Sequence, residues 1–322
     1  MALPSSLCIA GWVGILLGGM TMASAPAPAQ PNTTVVLGTA TPGGGFPLYG
    51  DAVVATIHEI DPSLTVEPRN TKGSTENVPL LEAGTIDLGL IQGEVAYEAL
   101  SGVGRAPADL KILAAMYSSP GMFVVRGDSP VKAIADLKGK PVAFGAKGSG
   151  LVILARYVLD GMGLDRDKDF DAVLLDRAGD GPAMVLDGRV AALWGGGIGW
   201  PGFTKVAEAG GRFIAPSADE SARIRAKHAF LKPLTIAANS YPGQRAPIPS
   251  VGSWSFIMVR PTLADDVTYR LARALHRGEA ALAKRLDQAR ETTAANTVAA
   301  APRANLIHPG AARYLRESGV MP

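Results

Sequence analysis

Two stretches of this sequence, about a hundred residues apart, share one design: a short apolar strand, a glycine-rich loop bearing hydroxyls, then a helix. The first is Val35-Val36-Leu37-Gly38-Thr39-Ala40-Thr41-Pro42-Gly43-Gly44-Gly45-Phe46, and the second is Val142-Ala143-Phe144-Gly145-Ala146-Lys147-Gly148-Ser149-Gly150-Leu151. Each aims unpaired backbone N–H groups and the positive end of a helix dipole at one spot, an arrangement that suits an anion. Two such spots imply two domains closing on one ligand.

The spacing around them agrees. From Thr33 onward strand, loop and helix alternate, which predicts a mostly parallel sheet with helices on both faces. Strands are expected at 35–39, 64–68 and 86–91, with a helix over about 47–60, where Val53, Val54 and Ile57 have helical spacing. Ser74, with Asn77 three residues on, reads as the N-cap of the next helix. The extended run Ile112–Val125 reads as a crossover into a second lobe. There Ser129-Pro130 predicts a short helix ending at Gly139. Strand 141–144, helix 151–160, strand 172–175, helix 181–187 and strand 190–194 follow. Ser217 with Glu220, and Thr262 with Asp265, read as capping boxes. Residues 255–260 read as the return crossover. The expected lobes are 30–117 plus 250–322, and 118–249. A chain of 322 residues is long enough for two.

Residues 1–30 contain no Lys, Arg, Asp or Glu and include an apolar stretch from Leu7 to Met20. The small-residue tail Ala23–Gln30 follows, so residues 1–29 read as a secretory signal peptide cleaved after Ala29, and the mature protein is expected to be exported. The only cysteine, Cys8, would be lost with it. Lysines and arginines number 31 against 29 acids, and no basic stripe occurs, so nucleic acid is not an expected partner.

The residues give catalysis little to work with. The four histidines, His58, His228, His276 and His308, have no metal-ligand spacing, and no cofactor fingerprint is present. Around Ser149 the nucleophile-elbow pattern is incomplete. Neither enzyme chemistry, a metal nor a cofactor is expected.

Five motifs in order resemble the TAXI-type solute-binding proteins of TRAP (tripartite ATP-independent periplasmic) transporters. Gly38–Phe46 resembles that family's G-T-G-x-T-G-G-x-Y, and Thr71–Leu81 its T-x-G-S-x-E-N-x-x-L-L. Gly84, Asp87, Gln92, Glu94, Ala96 and Tyr97 are similar to G-x-x-D-x-x-x-x-Q-x-D-x-A-Y. Ile134–Gly150 and His308–Tyr314 match I-x-D-L-K-G-K-x-V-x-x-G-x-x-G-S-G and H-P-G-A-x-R-Y.

The resemblance implies an α/β, type II-like periplasmic-binding-protein fold: two lobes with doubly wound sheets joined by crossover strands. It also implies a monomeric receptor that takes a small organic anion, a carboxylate, to TRAP membrane permease subunits. An ABC-type receptor or a sensor's partner would use the same fold. The ligand-binding residues it implies are Thr39, Thr41, Gly44, Gly45, Phe46, Ser74, Asn77, Gln92, Glu94, Ser149 and Gly150. Phe46 stands where the family has Tyr, removing a hydroxyl, and Glu94 where Asp is usual. Lys72 and Lys147 add positive charge if they face the cleft. Trp194 and Trp200 bracket a glycine run, and Trp194 is taken as a wall of the site.

Overall fold

The computed structural model describes residues 1–2 and 32–322. The apolar stretch, Cys8 and the expected cleavage site lie outside the described residues.

Eleven strands form two sheets among the described residues. The first holds β1 (Thr33–Gly38), β2 (Leu64–Arg69), β3 (Leu88–Ile91), β4 (Lys111–Pro120), β10 (Lys232–Ile236) and β11 (Ile248–Val259). Its order is β10-β11-β3-β1-β2, with β4 along β11. The second holds β5 (Met122–Val125), β6 (Pro141–Ala146), β7 (Asp171–Leu175), β8 (Ala192–Gly195) and β9 (Arg212–Ile214), in the order β7-β6-β8-β5-β9.

The first sheet carries α1 (Gly45–Ile60), α2 (Ser74–Glu82), α3 (Gly93–Ser101) and, from the C-terminal region, α9 (Asp265–Arg277), α10 (Glu279–Arg285), α11 (Ala294–Ala300) and α12 (Pro309–Glu317). Around the second lie α4 (Gly150–Gly161), α5 (Arg166–Asp169), α6 (Gly181–Leu186), α7 (Pro201–Glu208) and α8 (Ala218–Lys227).

Burial explains which strands are central. All four residues of β3 and of β8 are buried, while β2 alternates and sits at an edge. Val53 and Ile57, one helical turn apart on α1, pack on Leu37, Leu88 and Leu90 together with Leu271 and Leu275 of α9. The second sheet's core gathers Phe123, Phe144, Leu154, Val158 and Trp194. Each such side chain stabilises the fold by about 1.5–3 kcal/mol relative to exposure.

The sheets are mixed, where mostly parallel ones were expected. β1 is parallel to β2 and β3, and β6 to β7 and β8. β11 runs antiparallel to β3, β4 and β10, and β5 antiparallel to β8 and β9. β5 follows β4 directly at Gly121 and β11 follows β10 through a loop, neither through a strand–helix–strand unit, so nothing holds them parallel. The two crossings lie side by side, pairing Gly252 with Pro120 and Ser253 with Ser119. Between β4 and β5 the chain passes Trp194 at Gly121, where an added Cβ would come within 2.6 Å of the indole. Among the described residues no helix is long and apolar enough to cross a membrane.

Candidate functional site

The loops after β1, β2, β3 and β6 all open helices, and the starts of those helices converge. α1 begins after Gly44, and the N–H groups of Gly45 and Phe46 find no acceptor among the described residues. α2 begins after Gly73, whose φ of 117° is one that side chains rarely adopt. Gly73, not Ser74, therefore occupies the N-cap. Ser74 is the first helical residue, and its Oγ accepts from the backbone N–H of Gln92 at 3.0 Å. That bond ties the start of α2 to Gln92, the N-cap of α3. At α4 the expected cap is present: Ser149 Oγ accepts from Leu151 N–H at 3.2 Å.

These helix starts line a cavity of about 50 Å³, room for about three to five waters. Its wall includes Thr41, Gly44, Gly45, Phe46, Lys72, Ser74, Gln92, Tyr117, Ser119, Ser149, Trp200 and Gln288. Among the described residues no aspartate or glutamate lines it, and Lys72 is the one charged residue there. Helix N-termini aimed into a cleft without acidic groups give it a positive potential.

The walls come from both sheets, and they touch. Thr75 donates from N (3.3 Å) and Oγ1 (3.0 Å) to the carbonyl of Gly148. Ala178 N–H donates to Thr41 Oγ1 at 3.4 Å. Gly73 and Gly148 meet so closely that a Cβ on either would lie within 3 Å of the other's loop backbone. The cleft is closed.

Of the residues expected at the site, Thr41, Gly44, Gly45, Phe46, Ser74, Gln92 and Ser149 line this cavity. Thr39 is buried below it, its Oγ1 donating to Arg69 O at 3.2 Å. Asn77 is buried too, and its Nδ2 donates to the carbonyls of Gly38, Thr39 and Leu90, pinning the ends of β1 and β3. Gly150 borders Gln92: an added Cβ would come within 2.4 Å of the Gln92 Cβ. Glu94 is wholly buried one step behind Gln92.

Lys147 pairs with Asp176 at 3.1 Å in an exposed position outside the lining. Trp194 is fully buried in the second core, its Nε1 donating to Leu151 O at 2.9 Å. The indole in the cavity wall belongs to Trp200, beside Gly45.

Ser119, Tyr117 and Gln288 are polar wall residues that escaped the sequence reading, and the last two bring unpartnered groups. Tyr117, on β4, packs edge-on against Phe46 with centroids 6.4 Å apart, and its hydroxyl has no partner among the described residues. Burial raises its pKa well above the usual tyrosine value, so it stays a neutral donor. It returns a hydroxyl to the wall that Phe46 lacks. Gln288, 3% exposed, reaches in from the short helical turn Asp287–Glu291, and its Oε1 is unpartnered. Neither sits in a local pattern; only the crossover and the return of the C-terminal segment bring them here.

A second cavity, about 580 Å³, lies on the far side of the Gln92–Glu94 turn. Its walls are mainly apolar: Tyr97 stacked on Phe230 at 3.9 Å, Trp254 and Phe256, with Lys232 and Arg303 also lining it.

Two α/β lobes closing on a cavity at the strand ends define the class: a two-lobed periplasmic-binding-protein fold. The family model described as NMT1-like matches residues 37–319, and the chain belongs to that family. Among solved structures it is similar to one described as a periplasmic transporter, at 16% identity and a TM-score of 0.55, covering 81% of this chain and 88% of that one. A protein from Bordetella bronchiseptica RB50 is similar at 16% identity and 0.54, covering 89% and 96%. So is a ligand-free TctC solute binding protein from Polaromonas, at 16% identity and 0.51, covering 90% and 99%. At these identities the likeness is one of fold.

Proposed function

We propose that the protein is a periplasmic solute receptor, exported by the signal within residues 1–29. It captures a small carboxylate between lobe 30–117 plus 250–322 and lobe 118–249, and delivers it as a monomer to a TRAP-type permease. The observation that carries this reading is the convergence of the starts of α1, α2, α3 and α4 on a cavity that, among the described residues, no acidic side chain lines. Unpaired N–H groups in such a space favour an anion over a neutral or cationic solute. The size of the closed cavity favours one with few non-hydrogen atoms. The five TAXI-like motifs support the permease class.

The test is a thermal-shift screen of small carboxylates on protein unfolded and refolded to strip prebound ligand. A solute at a hundred times its Kd would stabilise the native state by about 2.7 kcal/mol. No shift with any carboxylate, alongside a clear shift with an amine or a sugar, would sink the reading. Transport into vesicles containing a TRAP permease, dependent on added receptor, tests the delivery step; an ABC permease that responds instead would reassign the system.

A further inference from the structure

Behind the cavity wall lies a buried acid that the anion reading leaves unused. Glu94 is 0% exposed; Ser253 Oγ donates to its Oε1, and its Oε2 has no hydrogen-bond partner among the described residues. Gln92 Nε2 is likewise buried without an acceptor. The two groups lie near enough for the amide to favour the charged carboxylate, yet short of hydrogen-bond geometry. Gln92 is at the same time part of the cavity wall, with Oε1 turned toward Gly150.

No cation offsets the acid. Of the elements packed on α3, α4 brings Arg156, which is engaged by Glu98 of α3 itself; α2 brings Glu76, which accepts from Lys72 N–H; and β11 brings neutral Ser253. Glu98 is the charge that acts on Glu94, and it is of like sign. Desolvation therefore dominates and pushes the Glu94 carboxyl up to about 7, against the opposing hydrogen bond from Ser253.

An amide presents an acceptor at one end and donors at the other, and half a turn exchanges them. Ionised Glu94 only accepts, so it draws Nε2 and leaves Oε1 facing the cavity, the wrong end for an anion. Protonated Glu94 donates from Oε2, so it takes Oε1 and turns the N–H groups to the solute. We propose that Glu94 is a positioning residue that sets which end of the Gln92 amide meets the solute, so that the cleft takes up its anion together with one proton. This rests on the anion reading above. The proton has a route: Ser253, which holds Glu94, also lines the larger cavity, where exposed Lys232 and Arg303 mark the solvent side.

The test has two arms. In the ligand-free protein, the side-chain amide NMR signals of Gln92, assigned by their loss in Gln92→Ala, shift with pH about a single midpoint near neutrality. They stay flat in Glu94→Gln. In Ser253→Ala, which removes a donor to the charged form, the midpoint rises. In the second arm acetate is titrated calorimetrically in two buffers of different ionisation enthalpy. Its affinity falls about tenfold per pH unit above the midpoint, with uptake approaching one proton per acetate. Glu94→Gln abolishes both the slope and the uptake. Flat Gln92 signals in the unsubstituted protein, or acetate binding with pH-independent affinity, overturn the proposal. Titrating Gln92 signals without acetate binding at any pH would uphold the Glu94–Gln92 relay and count against the anion reading instead.

Discussion

Arg270 takes a full charge inside the first lobe. Its Nε and Nη2 donate to the two oxygens of Asp61, each at 3.0 Å, and Nη2 also reaches Ser63 Oγ, bracing α9 against the chain entering β2. Both side chains are 8% exposed. Arg270→Ala removes the bidentate partner and leaves Asp61 to Arg273 at 3.7 Å and the Ser63 donors, and is expected to cost about 1.5–3 kcal/mol in urea unfolding. The pair also fixes an acid limb. Hydrogen bonding to Arg270 holds the Asp61 pKa below the usual carboxylate value, so its contribution is full above that value and is lost as pH falls through the depressed one. Glu94 has the opposite sign. With its pKa raised to about 7, the native state holds a proton that the unfolded chain releases from about pH 4.5 upward. Stability therefore falls as pH rises toward neutrality, and Glu94→Gln should flatten that slope in denaturation curves taken across the range. In the cavity, Tyr117→Phe removes an unpaired hydroxyl donor; a bound carboxylate should lose about three- to tenfold in affinity by calorimetry, with the melting temperature of the free protein little changed. At this scale the sequence was legible where a residue sits in its own loop, as Ser149 and Gln92 do. It was silent on Tyr117 and Gln288, whose positions depend on contacts between distant segments, and it drew Trp194 to the wall that Trp200 occupies.

Helix starts show how local chemistry decides an element. The Ser217–Glu220 box forms as its spacing predicts, with Glu220 N–H donating to Ser217 Oγ and the Ser217 N–H to the Glu220 carboxylate. The second expected box does not: Ala264 holds the cap of α9, and Thr262 Oγ1 instead accepts from Arg260. Nor does Ser129-Pro130 open a helix. Only a single 3₁₀ turn, Ile134–Leu137, forms, because Asp136 turns back to accept from the N–H groups of Lys132 and Ala133 and closes the segment on itself. A capping pattern names the residues that can cap; competing acceptors nearby decide whether they do. The glycine pair at the mouth of the cleft gives a sharper test. A Cβ on Gly148 would lie 2.5 Å from the carbonyl oxygen of Lys72, a backbone atom that cannot give way cheaply. Gly148→Ala should hold the starts of α2 and α4 apart while leaving both helices folded. Circular dichroism should be unchanged and ligand-induced thermal stabilisation lost. Closure with full affinity in that variant would show that these loops do not seal the site.

At the scale of the molecule, alternation of strands and helices foretold two α/β lobes, and the extended run near 112–125 foretold the first crossing; the return, expected at 255–260, lies instead at Ser250–Ser253, since 256–259 already pair within the first sheet. What alternation leaves open is the direction of strands reached by crossing, so the mixed character of both sheets was not foreseen. The lobes meet in a closed state through Thr75 and Gly148, Thr41 and Ala178, and Tyr157 donating to Glu98 at 2.8 Å. Stripping the solute should relax these few contacts and raise the radius of gyration in solution scattering, and adding it back should reverse the change. The manner of opening follows from the crossings. β4 and β11 pass the junction as one antiparallel ribbon, hydrogen-bonded to each other rather than running as two separate linkers. A ribbon of this kind flexes across its face but resists sliding along its length. The lobes then have one path to travel, and the same glycines meet on every closure. A single distance followed across the mouth would record the whole motion, as the angle of one hinge records a door.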